Sequence, residues 1–185
     1  MNKITFYFFI LILFSSCTNI NKRFEKSSDI LFNGKSFELG DILVKEKEFS
    51  LLGFLGHTAI IIDENLVGDY PKFGEKYYEV NLQDWTKDNR KIIVLRYKNM
   101  TSTFKELLKK NIKKYSNKKY KISSKKDNES FYCSKYIWYI YFKTANELGF
   151  YLDLDDDKGT FVLPYDFLKS EFLEKVIIKK REESL

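Results

Sequence analysis

The sequence holds a single histidine, two cysteines and two prolines among 185 residues. Pro71 and Pro164 interrupt no strong periodic run, and no internal repeat is visible. The N-terminal apolar run, Ile4 to Phe14, is shorter than the about 20 residues that span a bilayer, which argues against a membrane-crossing helix there and leaves an uncleaved N-terminal anchor as the alternative to an export signal. An aromatic fraction of 17% and a hydrophobic fraction of 44% exclude a disordered tail and point to a folded globule. What scarcity leaves is informative. The lone histidine is His57, in Gly56-His57-Thr58-Ala59-Ile60. One cysteine, Cys133, stands in Phe131-Tyr132-Cys133-Ser134-Lys135-Tyr136. A lone thiol and a lone imidazole, each beside an apolar segment, are the minimum parts of a nucleophile and its base.

The other cysteine, Cys17, has a different explanation. Lys3 supplies a short positive region, the apolar run follows, and Ser15 and Ser16 are the small residues before a cleavage point. Leu13-Phe14-Ser15-Ser16-Cys17 resembles the lipobox of bacterial lipoproteins. The resemblance implies cleavage before Cys17 and acylation of its thiol and new amino group. More than one acyl chain gives stable anchoring. The expected organisation is a signal peptide over 1–16, a lipidated cysteine and polar tether over 17–33, and one domain over 34–185. The expected location is the cell envelope, anchored by lipid and facing the extracytoplasmic side. With Cys17 acylated, Cys133 has no disulfide partner, and reactivity is one reason to keep such a thiol.

The formal charge is +6, and nine lysines with no acid fall between residues 109 and 126. Such a block could meet anionic lipid or an anionic wall polymer. A solvated helix face is the simpler reading. Nucleic acid is a poor partner for an exported chain.

Short strands are predicted at 42–44, 57–63, 76–82 and 91–97, with Gly68-Asp69-Tyr70-Pro71 as a turn region. The period then changes. Thr103 and Glu106 form a capping-box pattern, and Phe104, Leu107, Leu108, Ile112 and Tyr115 share one helical face. A second, more apolar helix is predicted over 131–148, stopped at Gly149. A short helix after Pro164 and a last strand at 176–178 follow. Strands followed by helices give an α+β domain.

Cys133 falls near the start of its helix, where unpaired N–H groups and a partial positive charge favour the thiolate and can hold an oxyanion. His57 opens a strand and is the one histidine available as base. Its far nitrogen needs an acceptor. Glu79 is preferred, because a carboxylate in the middle of an apolar strand is costly unless paired. Asp63 and Asp69 are runners-up, since Asp at turns is expected for structural reasons. The Asp153–Gly159 run fails the calcium-loop pattern: Lys158 stands where the loop needs glycine, and Pro164 where it needs glutamate. A solvated acidic loop is expected there. No metal and no cofactor are expected.

Five segments occur together in one order: Leu39-Gly40-Asp41-Ile42-Leu43, Gly56-His57-Thr58-Ala59-Ile60, Tyr78-Glu79-Val80, Phe131-Tyr132-Cys133-Ser134-Lys135-Tyr136-Ile137-Trp138 and Leu163-Pro164-Tyr165-Asp166-Phe167-Leu168. The set resembles the YiiX-like family, a circularly permuted branch of the NlpC-type papain-like cysteine hydrolases. The resemblance implies an antiparallel sheet packed on helices, with the histidine strand before the cysteine helix. It implies a triad of Cys133, His57 and Glu79, attack on an amide or ester carbonyl, and an acyl-enzyme. Two departures bear on substrate choice: Tyr120-Lys121 where relatives have a Tyr-Asp pair, and Lys135 where they often have Glu. The substrate expected is a wall peptide, or alternatively a lipid acyl group. A binding lipoprotein of the same fold without activity is the third reading. The chain is expected to act as a monomer.

Overall fold

The computed structural model describes residues 24–32, 37–49, 53–72, 74–155, 157 and 159–176. The segment expected as a signal peptide, and Cys17, lie outside the described residues. Six antiparallel strands form one sheet: β1 (Ile42–Lys45), β2 (His57–Asp63), β3 (Leu66–Asp69), β4 (Tyr78–Asn81), β5 (Ile92–Tyr97) and β8 (Leu173–Lys175), in the order β4-β3-β2-β1-β5-β8. Among the described residues the α-helices are α1 (Ser27–Phe32), α2 (Leu82–Trp85), α3 (Ser102–Tyr115) and α4 (Cys133–Glu147). Two-residue strands β6 (Lys119–Tyr120) and β7 (Ser130–Phe131) pair in parallel just before α4.

The pleat of the central strands sorts side chains onto two faces. Ile42, Val44, Ile60, Ile62, Ile93 and Leu95 join α3 and α4 in the larger core. Leu43, Ala59, Ile61, Val67, Ile92 and Val94 join Ile30 of α1 and Leu82 and Trp85 of α2 in a smaller one. Both faces of the sheet centre are therefore covered, which explains the apolar runs in β2 and β5. From Cys133 to Tyr141 every residue of α4 is buried, as its all-round apolar sequence requires.

Several local expectations shift. Strand β3 occupies part of the segment expected to turn, and it pairs with both β2 and β4. The cap of α3 is Thr101, whose hydroxyl accepts the Phe104 N–H at 3.1 Å, so the helix starts ahead of Thr103. Helix α4 begins at Cys133, not at Phe131, which lies in β7. The helix after Pro164 is a single 3₁₀ turn, Asp166–Leu168. The last strand is β8; positions 177 and 178 lie outside the described residues. Part of the segment expected as polar tether, residues 24–32, joins the fold. Phe24 is buried, Glu25 pairs its backbone with Ile92, and Ile30 enters the smaller core. The exposed lysines Lys109, Lys110, Lys113 and Lys114 form the solvent face of α3.

Candidate active site

Two elements bring the thiol and the imidazole together. Helix α4 starts at Cys133, after an N-cap Tyr132 whose side chain makes no capping bond, so the first-turn N–H groups keep their capacity to bind an anion. The Tyr132 hydroxyl instead accepts the Val162 N–H at 2.9 Å, and Ser134 donates to the Val162 carbonyl at 2.6 Å. These bonds fix the 159–164 loop against the helix start.

Strand β2 opens at His57 because Gly56 turns the chain at a φ of +82°, a region costly for any residue with a Cβ. A Cβ at Gly56 would also meet the Tyr165 ring at 2.9 Å. Tyr165 is itself held: its hydroxyl accepts the Lys47 N–H at 2.8 Å, and Phe24 stacks on its ring. The N-terminal segment thus buttresses the turn that aims His57.

His57 lies within electrostatic and hydrogen-bonding range of Cys133, and its Nε2 donates to Asp69 Oδ2 at 2.8 Å. The preferred acid, Glu79, is not at the histidine. Asp69 is the register partner of Tyr78 in β4, and the pleat turns Glu79 to the opposite face of that strand. Glu79 is exposed, and β4 is an edge strand of the sheet, so a charge in the middle of it is not costly. Asp63 is exposed at the far end of β2. Asp69, by contrast, is 2% exposed. Its Oδ2 also accepts the Trp85 Nε1–H at 2.8 Å and, more weakly, the Tyr78 hydroxyl at 3.4 Å.

The charges support one another. Burial works against a charge on His57, but the carboxylate of Asp69 and the thiolate of Cys133 outweigh it and raise its pKa to about 10. Burial likewise works against the Cys133 thiolate. The His57 charge and hydrogen bond, with a backbone bond from Thr58, prevail and bring the thiol below its ordinary value. The arrangement stores a thiolate beside a cation that can deliver a proton.

Cys133 is only 9% exposed, yet it lines a cavity of about 530 Å³ with His57. The walls are largely apolar: Phe54, Ile122, Phe161, Leu163 and Pro164, with Tyr120 and Thr160 among the polar groups. Burial above all, and the negative charge of Cys133, push the Tyr120 phenol up. Lys135, one of the two family departures, is fully buried. Its Nζ donates to Ser123 Oγ at 2.7 Å, to the Ser130 carbonyl at 2.9 Å and to the Asp127 carbonyl. It pins the 123–130 segment to α4 and does not line the cavity.

The acidic loop is not simply solvated. Asp155 and Asp166 are buried. Carboxylate oxygens of Asp155, Asp157 and Asp166 come within 4.8 Å of one another. Asp155 pairs with Lys125, and the three acids accept the N–H groups of Asp157, Gly159 and Leu163 respectively. They shape the loop that walls the cavity. Burial foremost, with Asp155 and Asp157 nearby, raises the pKa of Asp166 to about 6.

Comparisons with known proteins agree with this architecture. The chain resembles the crystal structure of the metalloprotein yiiX from Escherichia coli O157:H7 with a TM-score of 0.58 and 18% identity, over 80% of this chain and all of that one. At that identity the likeness concerns the fold. No curated protein matches the sequence. Residues 26–177 match the model of the permuted papain-like amidase enzymes, YaeF/YiiX, C92 family. An antiparallel sheet with the histidine strand ahead of a buried cysteine helix is the permuted papain-like arrangement, and the chain belongs to this family of cysteine-dependent amidases.

Proposed function

We propose that the protein is a lipid-anchored thiol amidase of the cell envelope, working through Cys133, His57 and Asp69. The observation that carries this reading is the bridge His57 makes between Cys133 and Asp69 at the wall of the cavity. The Cys133 thiolate attacks the amide carbonyl carbon and a C–S bond forms. Charge moves to the carbonyl oxygen, which the first-turn N–H groups of α4 receive. His57 passes its proton to the amide nitrogen, and the C–N bond breaks with release of the amine. A water then gives its proton to His57 and attacks the thioester, and the acid leaves. Asp69 holds the ring and stabilises its charged form.

A wall peptide is the leading substrate. The apolar side chains Phe54, Ile122, Phe161 and Leu163, all on the cavity wall and all exposed, favour an acyl group of membrane lipid as the second reading. Labelling Cys133 in one sample with a thiol-directed activity probe, and incubating unlabelled protein with wall fragments and separately with lipid vesicles, tests both. Release of an amine from wall peptide supports the first, and release of acid from vesicles the second. Turnover undiminished in Cys133→Ala excludes the thiol mechanism.

The anchor is proposed on the Leu13–Cys17 sequence. Cys17→Ser should abolish lipidation and release the protein from membranes. Continued processing and membrane binding of Cys17→Ser would refute it.

A further inference from the structure

We infer that Trp85 is a positioning residue for the His57–Asp69 pair and that Lys45 is its clamp. The inference rests on the thiol-hydrolase reading and extends it to two residues outside the triad.

One oxygen of Asp69 carries every directional contact. Oδ2 accepts from His57 Nε2 at 2.8 Å and from Trp85 Nε1 at 2.8 Å, while the buried Oδ1 has no hydrogen-bond partner among the described residues. A carboxylate in that state can rotate unless something fixes it, because its bare oxygen would gain from taking either donor. Trp85 is suited to prevent this. Its ring is 5% exposed in the smaller core, and an indole N–H on a packed ring has one direction. The donor therefore selects which oxygen faces the imidazole.

Lys45 holds the indole in turn. Its Nζ lies 3.9 Å from the centre of the Trp85 ring and donates to the Trp85 carbonyl at 2.7 Å and to Asp88 Oδ2 at 2.7 Å. It is also the register partner of His57 across β1 and β2. The same two strands that place the imidazole thus place the clamp. Lys45 is 5% exposed, and burying an ammonium is costly where an apolar side chain would fill the space. A positioning role accounts for its presence. Among the described residues, Lys45 from β1, Tyr78 from β4, Tyr120 from β6 and Cys133 from α4 interact electrostatically with the His57–Asp69 pair, and Glu48, Lys72, Asp84, Asp88 and Arg90 line the cleft beside it.

Two measurements test the inference. The first is the pH profile of Cys133 alkylation in the full-length protein and in Trp85→Phe, which keeps an aromatic ring and removes the donor. Without that donor the carboxylate is no longer fixed toward the ring and supports the imidazolium less. The acid limb should move up by about one pH unit, so that on that limb alkylation at a given pH is about tenfold slower. Lys45→Met should shift it in the same direction by less. The second uses the unsubstituted protein. The indole ¹H–¹⁵N signal of Trp85 should move with the titration of His57. The signal of Trp138, whose Nε1 donates to Asp153 Oδ1 at 2.7 Å, should not follow it. An unmoved profile in folded Trp85→Phe, or a Trp85 signal indifferent to His57, overturns the inference. If the unsubstituted Cys133 is itself unreactive below the ordinary thiol range, the thiol reading fails instead, and the Trp85 signal still decides the contact.

Discussion

Asp69 Oδ2 lies 2.8 Å from His57 Nε2, and the two residues belong to adjacent antiparallel strands, β3 and β2. This contact sets the polarity of the site. One nitrogen of the ring is committed to a buried carboxylate, and the other is left for Cys133.

Asp69→Asn should therefore lower turnover by about one order of magnitude or more, because an amide oxygen can still accept the His57 Nε2–H but carries no charge to stabilise the imidazolium. Glu79→Gln should stay near the unsubstituted rate. The comparison is made on whichever substrate the probe experiment identifies, with circular dichroism confirming that each variant folds. Reversed sensitivities would restore Glu79 as the acid.

The pair should titrate as an ion pair. With one histidine in the chain, its imidazole proton resonances need no assignment. They should titrate near pH 10, far above the about 6.5 of a free imidazole. Thiolate absorbance near 240 nm should persist below the about 8.5 of a free thiol. A histidine titrating in its ordinary range would mean that Asp69 and Cys133 do not hold its charge.

Gly56→Ala should destabilise the protein and slow Cys133 alkylation together. The substitution forces an alanine to a φ of +82° and drives its Cβ into Tyr165. A loss of about 2 kcal/mol is expected from the backbone and the contact together. Urea unfolding measures the first effect and alkylation rate the second.

Asp166 gives a pH dependence of stability with a definite sign. Its folded pKa of about 6 lies above its ordinary value of 3.8, so between those values the folded state binds more protons. Its charge therefore costs stability above about pH 6, and that cost fades as pH falls to 3.8. Asp166→Asn keeps an acceptor for the Leu163 N–H and removes the charge. It should melt a few degrees higher than the unsubstituted protein at pH 8 and almost with it at pH 4. Equal melting at both values would show that the 155–166 loop tolerates the charge.

The parts of the fold legible in the sequence are those fixed by periodicity and scarcity. The β-rich runs at 57–63 and 91–97, the α3 stripe and the apolar Cys133 helix could each be read locally, and a single cysteine and histidine left little choice of chemistry. Asp69 was hidden for a physical reason. Gly68-Asp69-Tyr70-Pro71 carries every mark of a turn, and the pairing that makes β3 a strand is with β2 and β4, which no local window contains. Glu79 misled because the cost of a mid-strand carboxylate depends on whether the strand is an edge, and strand order is a tertiary fact. Trp85 reads as an ordinary aromatic of a four-residue helix; the lysine over it lies 40 residues upstream. The segment at 24–32 reads as tether because it is polar. Its two apolar anchors, Phe24 and Ile30, are too few to give a pattern.

The central claim is that His57 makes Cys133 a nucleophile. The measurement is the alkylation rate of Cys133 at pH 6 in the folded protein and in His57→Ala, with the modified peptide located by mass spectrometry. The unsubstituted protein should label rapidly at Cys133, and His57→Ala at least tenfold more slowly. Equal, slow labelling in both, rising only in denaturant, would show that Cys133 is a core residue and that the site has no activated thiol.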